Sequence, residues 1–276
     1  MARTDTANAS TKPSAKPRRK REGANKRVAK AIVPKRCNPL MPPLWRRLVS
    51  RIVKWSIVAV LLVTLAPFAL LALYRIEAVH PISTQMVGDW LDGRGVKREW
   101  VALDDVSQNL VDAVTMSEDG RYCAHDGVDW DALSTVVEDA LEGERTRGAS
   151  TIAMQTVKNL FLWSDRSYVR KVLEVPLALS ADFILGKRRL LEIYLNIAEW
   201  GHDDGTRIYG AQAAARHHFG RAATSLSRRQ ATLMAVTLPN PKLRDPGRPR
   251  RGLSRLARRL EPRAKAAAPY LRCLRT

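Results

Sequence analysis

Twenty consecutive residues, Trp55 to Tyr74 (WSIVAVLLVTLAPFALLALY), carry no charge. At about 1.5 Å rise per residue, a helix of that length spans about 30 Å, the hydrocarbon thickness of a bilayer. In lipid every backbone N–H and C=O must be satisfied within the segment, so a spanning run of this kind has to be a helix. It is too long for the apolar core of a signal peptide, and Arg75-Ile76-Glu77 after it holds no small-residue cleavage site. Lys54 and Arg75 bracket the run, Trp55 and Tyr74 fall where interfacial aromatics are found, and Pro67 is tolerated inside a membrane helix. The competing reading is a helix buried in a soluble core.

Charge is placed unevenly around it. The 276 residues carry a net charge of +20, and 16 Lys and Arg against two acids precede Trp55. The positive flank stays on the cytoplasmic side, so residues 1–54 read as a cytoplasmic arm, 55–74 as the span and everything after Tyr74 as exported. The stretch from Lys12 to Arg36, with Pro13, Ser14, Pro17 and Pro34, has the composition of a solvated arm. It has no aromatics to stack bases, so a nucleic-acid partner is not expected. Its neighbour is the membrane, where it acts as a topology signal and meets anionic lipid. Cys37 then lies on the reducing side. Cys123 and Cys273 would both face an oxidising compartment in which they could pair, and the sequence does not decide whether their separation allows it. There is no CxxC and no Cys/His set with zinc spacing, so no metal site of that kind is expected.

Residues 75–104 read as a polar connector with one short helix, Thr84 to Leu91, ended by Asp92-Gly93. From Val106 the apolar pattern is helical almost throughout and no convincing alternating run appears, so the class is mainly α. Val106, Leu110 and Val114 predict a helix with Ser107 near its start. Asp129 is placed to cap a helix bearing Trp130, Leu133, Val137 and Leu141 on one face, and a further helix runs over Lys187 to Trp200. Ser227 and Gln230 form a capping box before Leu233, Met234 and Val236, and Pro239-Asn240-Pro241 stops that helix. The folded domain is expected to cover 105–243. Beyond it, 244–276 is Pro-, Gly- and Arg-rich and reads as a solvated or loosely docked basic tail, with Leu253, Leu256 and Leu260 at helical spacing.

Three stretches carry the chemistry. In Ser117-Glu118-Asp119-Gly120-Arg121-Tyr122-Cys123-Ala124-His125 a carboxyl pair stands where a helix gives way to a loop, a common place for catalytic groups. In Arg147-Gly148-Ala149-Ser150-Thr151-Ile152-Ala153-Met154-Gln155-Thr156-Val157-Lys158-Asn159, Ser150 is a suitable N-cap and Thr151, Gln155, Lys158 and Asn159 form one polar stripe. By itself such a stripe describes a solvent face. With free N–H groups, hydroxyls and a cation together, it also describes a seat for an anion such as a diphosphate. In Arg170-Lys171-Val172-Leu173-Glu174 the two cations share a helical face with the carboxylate, which describes either a surface ion cluster or a carboxylate held ionised.

In order and spacing these stretches, with Glu192-Ile193-Tyr194-Leu195-Asn196, resemble the motifs of the peptidoglycan glycosyltransferases, glycosyltransferase family 51. With no transpeptidase domain following, the resemblance is to the monofunctional members and covers about residues 55 to 243. It implies a lysozyme-like helical domain with a membrane-hugging small lobe behind the single N-terminal membrane helix, placed in the periplasm on the inner membrane of a bacterial cell. The activity implied is inverting polymerisation of lipid II into β-1,4 glycan strands with release of undecaprenyl diphosphate. Glu118 and Glu174 are the implied catalytic carboxylates, with Glu118 the general base, its pKa raised among neighbouring carboxyl groups. Asp119, Ser150, Thr151, Gln155, Lys158, Asn159, Arg166, Arg170 and Lys171 are the implied substrate-binding set, with Lys158 and Arg166 on the diphosphate. A divalent ion, Mg or Mn, could share that work, although no residue demands one. Partners implied are lipid II, the growing glycan, the membrane and cell-wall assembly proteins.

Three positions depart from the family pattern. Tyr122 stands for a Phe, Met154 for the first of two Gln, removing a polar group expected beside the site, and Gln230 for a Glu. Two other readings compete: a lysozyme-like glycan-cleaving enzyme, since two carboxylates in a helical fold describe both, and a non-catalytic scaffold of wall assembly. The membrane anchor and the cations at Lys158 and Arg166 weigh against the first. Intact Glu118 and Glu174 weigh against the second.

Overall fold

The computed structural model describes residues 43–143, 148–163, 165 and 167–275. Most of the basic arm, with Cys37, and the candidate Arg166 lie outside the described residues. Residues 43–52 are the first turns of helix α1 (Pro43–Tyr74), and the chain from Val53 onward forms one compact unit.

Helix α1 is longer than the uncharged run and holds the one stretch among the described residues long and apolar enough to cross a membrane, Trp45–Tyr74. Only 6% of its most apolar window is buried, so it is not a core helix. Its C-terminal end is bound. Arg189 donates from Nε to the Tyr74 carbonyl at 2.9 Å and from Nη2 to the carbonyls of Ile76 and Val79, while Tyr74 stacks on Phe161 with centroids 6.3 Å apart.

Helices dominate the remainder, as the apolar periodicity predicts. Helix α2 (Thr84–Leu91) is capped by Ser83, and α3 (Gln108–Glu118) by Ser107, whose hydroxyl accepts from Leu110 N. Asp129 Oδ1 accepts from Ala132 N at 3.1 Å at the start of α4 (Trp130–Leu141). Of the expected apolar face of α4 only Leu133 packs against the core, while Trp130, Val137 and Leu141 are exposed. Helix α5 (Ile152–Phe161) lies along α6 (Tyr168–Ile197). Gly186, at φ 71°, breaks α6 into two helical halves, and Trp200, expected in the second half, lies beyond its end. Helix α7 (Ala211–Phe219) follows, and α8 (Arg228–Ala235) begins with the predicted Ser227–Gln230 capping box.

Three short strands were not legible as alternation: β1 (Val96–Arg98), β2 (Glu199–Asp203) and β3 (Thr206–Tyr209), in the order β1-β3-β2. Too short for a periodic signal, they are nevertheless punctuated by one. Asp204 and Gly205 both take positive φ, at 43° and 79°, and close the β2–β3 hairpin as an Asp-Gly pair is suited to do.

The C-terminal segment is a correction. Helix α9 (Arg251–Lys265) packs on α3 and α8, burying Leu253, Ala257, Leu260 and Ala264. Arg263 Nη2 donates to the Met116 carbonyl at 2.8 Å, and Cys123 and Cys273 are joined in a disulfide with Cα atoms 5.7 Å apart. The tail is not solvated because Ala257 and Ala264 add to the leucines, making a face deep enough to dock.

The disulfide closes 150 residues of chain. Replacing both cysteines by serine should lower stability by about 2–5 kcal/mol, or about 5–15 °C in the apparent Tm. Thermal melts of the two proteins, with and without reductant, check this. An unchanged Tm would show that α9 docks without the cross-link.

Candidate active site

The site is built where the C-terminus of α3 meets the N-terminus of α5. Asp119 is buried and its bonds are all structural. Its Oδ2 accepts from Ile152 N at 3.0 Å, satisfying a free N–H at the start of α5, and its Oδ1 meets His125 Nε2 at 2.9 Å. Thr151, not Ser150, is the N-cap of α5: its Oγ1 accepts from Met154 N and donates to the Gly127 carbonyl at 2.6 Å. Gly127, at φ 81°, has no room for a side chain, since a Cβ there would stand 2.4 Å from the Ala178 carbonyl of α6. Loop, α5 and α6 thus lock together around Asp119.

Glu118, one residue earlier, is left facing the cleft. Its carboxylate accepts from Gln155 Nε2 at 3.3 Å and from Ser117 Oγ at 3.1 Å, and Tyr194 donates to Gln155 Oε1 at 3.1 Å. Burial pushes the Glu118 carboxyl above its ordinary value, against these hydrogen bonds and the positive charge of Arg244. The expected neighbouring carboxylate, Asp119, is the smallest contributor; desolvation is the main cause.

The second carboxylate has the opposite surroundings. Glu174 is 2% exposed, with Arg170 Nη1 on Oε1 and Lys171 Nζ at 2.8 Å from Oε2. Lys171 also donates to Ser150 Oγ at 2.6 Å, and Arg170 Nε to the Asp165 carbonyl at 2.9 Å. The surface ion cluster is therefore a buried one.

Lys158 stands in the fields of both glutamates, and burial lowers its pKa against the pull of Glu174 and Glu118. It has no ion pair or hydrogen bond of its side chain among the described residues. A half-buried ammonium that also feels the charges of Arg170 and Lys171 gains free energy when an anion reaches it.

The remaining candidates divide. The stripe Thr151, Gln155, Lys158, Asn159 does not face solvent: Thr151 and Asn159 are buried and the other two half-buried. Asn159 Oδ1 has no partner, and its carbonyl accepts from Thr84 Oγ1 at 3.1 Å. Met154 is fully buried in the core, so its departure from Gln removes no polar group from the cleft. Gln230 Oε1 accepts from Ser227 N at 2.9 Å, doing as a cap what a Glu would do. Tyr122 donates to the Lys187 carbonyl at 2.8 Å. Sequence reasoning missed Arg244, held by the Val236 carbonyl at 2.6 Å with its charge bearing on Glu118, and the Tyr194 hydroxyl behind Gln155. The Tyr in Glu192-Ile193-Tyr194-Leu195-Asn196 was the available signal for the second; the first had none.

Comparison with known proteins places relatives along most of the chain. A family model described as Transglycosylase matches residues 84–265, running past residue 243 through α9. The chain is 59% identical over 215 residues to a protein named biosynthetic peptidoglycan transglycosylase from Rhizobium meliloti (strain 1021), covering 78% of this chain and 89% of that protein. A protein of the same name from Rhizobium johnstonii is 52% identical over 245 residues, 88% of this chain and 98% of its own length. Another from Brucella suis biovar 1 is 53% identical over 217 residues, 78% of this chain and 95% of its own length.

The two neighbouring carboxylates should respond oppositely to neutralisation. Asp119→Asn removes an acceptor shared by α5 and His125 and should cost about 1–3 kcal/mol. Glu118 has a raised folded-state pKa, so its charge opposes folding above that pKa, and the penalty disappears as pH falls below the ordinary glutamate value. Glu118→Gln should therefore match or exceed the wild-type Tm near pH 8, with the difference closing towards about pH 4. Melts of the three proteins across pH test the assignment, and a destabilised Glu118→Gln beside an unaffected Asp119→Asn would reverse it.

Proposed function

The chain belongs to the transglycosylase family, and from that membership we propose a division of labour within its site. The protein is a peptidoglycan glycosyltransferase of cell-wall biosynthesis, polymerising lipid II into β-1,4-linked glycan strands with release of undecaprenyl diphosphate. Glu118 takes the proton from the acceptor's sugar 4-hydroxyl as that oxygen attacks the donor's anomeric carbon. The attack comes from the face opposite the departing diphosphate, so the configuration inverts. A carboxylate with a raised pKa suits proton abstraction near neutral pH. Lys158, together with Arg166, receives the charge that develops on the diphosphate.

The observation that carries this reading is the Lys158 ammonium, without an ion pair among the described residues, in the fields of Glu174 and Glu118 and beside Arg170 and Lys171. A neutral glycan awaiting cleavage gives such a cation nothing to bind. Glu174, saturated by Arg170 and Lys171, positions the donor and tunes the field rather than moving a proton. Ser150, Thr151 and Gln155 act mainly by holding these groups in place, and Asn159 lies on the same stripe of α5. The described residues offer no group of three His, Cys, Asp or Glu that would hold Mg2+ or Mn2+ on its own, and the charge neutralisation is assigned to Lys158.

The helix Trp45–Tyr74 fits membrane anchoring. The proposed topology has 1–54 in the cytoplasm, 55–74 crossing the inner membrane and the folded domain in the periplasm. Two observations support it: the charge asymmetry and the Cys123–Cys273 disulfide, a bond that persists in oxidising compartments. The exposed apolar side chains of α4 and of the first turns of α6, among them Trp130, Tyr168, Val169 and Val172, suit contact with the bilayer surface that holds the substrate. Assembly proteins that share this enzyme's work would bind from the periplasmic side.

Strand synthesis from lipid II, followed by gel, tests the roles. Glu118→Gln should lower the rate by about a hundredfold or more, and Lys158→Ala by about tenfold to several hundredfold at limiting donor. Wild-type rates from both variants would refute the assignment. For topology, a reporter active only after export, fused behind Thr276, should be active. Activity from a cytoplasmic reporter alone at that end would invert the orientation.

A further inference from the structure

A groove of about 810 Å³ lies between α9 and the segment 243–250 that leads into it. Its lining takes in two turns of the helix, from Gly252 to Arg259, and none of Glu118, Lys158 and Glu174. Five arginines face it (Arg244, Arg248, Arg250, Arg255 and Arg259) against one acid, Asp245.

This imbalance is unlike the rest of the domain, where Arg170 and Lys171 meet Glu174, Arg189 meets Glu192 and Arg207 meets Glu199. Arg248, Arg250, Arg255 and Arg259 have no ion pair or side-chain hydrogen bond among the described residues. Asp245 is already engaged: its Oδ1 accepts from Gly247 N at 2.8 Å and Arg248 N at 3.2 Å, and stands 3.3 Å from His218 Nδ1. Helix α9 itself carries six Lys and Arg against one Glu. Its Arg251, Arg255 and Arg259 recur at the i, i+4 spacing where like charges oppose a helix. Docking of α9 uses Leu253, Ala257, Leu260 and Ala264 and requires none of these three cations.

The walls are set in advance. Arg244 donates to the Val236 carbonyl at 2.6 Å, and Gly247 lies so close to α7 that a Cβ there would stand 2.8 Å from the His218 carbonyl. Every lining cation is Arg, whose planar fork matches carboxylates and phosphates in pairs of hydrogen bonds. Five positive charges against one negative leave a surplus of four. A single phosphate brings at most about two negative charges, whereas carboxylates spaced along a chain can answer all four. Leu243 and Leu256 in the same lining, 78% and 40% exposed, add apolar contact between the charges. We propose that this groove is a docking site for a carboxylate-rich segment of a partner protein, with an apolar residue set among its Asp and Glu side chains.

The probe is a fluorescein-labelled peptide, Glu-Glu-Leu-Glu repeated three times, titrated into the full-length protein in neutral detergent and followed by fluorescence anisotropy. Saturable one-to-one binding is expected. It should weaken at least tenfold in Arg255→Ala with Arg259→Ala and, on the opposite wall, in Arg248→Ala with Arg250→Ala. All four side chains are exposed, so both double variants should melt as the wild type does and make strands from lipid II within twofold of its rate. Lys97→Ala with Arg272→Ala removes the same charge from exposed positions elsewhere and should keep binding within twofold. The same peptide with Gln for Glu should not bind. The proposal is overturned if the acidic peptide does not saturate, or if the Lys97 and Arg272 pair weakens it as much as the groove pairs do. Displacement by inorganic pyrophosphate, or by phosphatidylglycerol in the micelles, at equal charge would overturn it in favour of a phosphate site. Self-association of the wild type that both groove pairs abolish would overturn it in favour of a second copy of the chain.

Discussion

Asp119 is the constraint on which the rest of the site depends. One buried carboxylate ends α3, satisfies the first turn of α5 and holds His125. Because its two oxygens are committed, the adjacent Glu118 is the member of the pair left to face the cleft. A buried carboxylate without such partners would be strongly disfavoured, so the arrangement holds only while all three elements are docked. Thr151 and Gly127 complete the junction by joining the loop to α5 at a spot where α6 passes too closely for any side chain.

The two glutamates illustrate how one fold gives two carboxylates different surroundings. Glu174 is enclosed by two cations, and Glu118 by little more than an amide, a hydroxyl and the low-dielectric wall. Lys158 completes the pattern as a half-buried cation without an ion pair among the described residues.

Anchoring and catalysis are linked through Arg189. This residue is buried in the second half of α6, paired with Glu192, and gathers three carbonyls from the segment leaving α1. Near the other end of the chain, α9 is fastened to α3 by Arg263 and by the disulfide beside the loop that follows Asp119. Both termini of the folded unit are therefore tied to the elements that carry the site.

Sequence alone determined the features governed by local rules. The apolar helix ending at Tyr74 follows from length and absence of charge, and the caps Ser107, Asp129 and Ser227–Gln230 from residue chemistry at fixed offsets. The candidate acids and cations were legible as ordered motifs, and the α class as periodicity. Tertiary structure decided the rest. It assigned Asp119 a structural role and left Glu118 free, through a bond 33 residues away in sequence. It turned the polar stripe of α5 inward, sent Met154 into the core, and drew the expected basic tail onto α3 across 147 residues. It paired Cys123 with Cys273 and brought Arg244 up to Glu118. The physical reason is common to all of these. Periodicity and capping depend on neighbours along the chain, whereas desolvation and charge coupling depend on what packing places within a few ångströms.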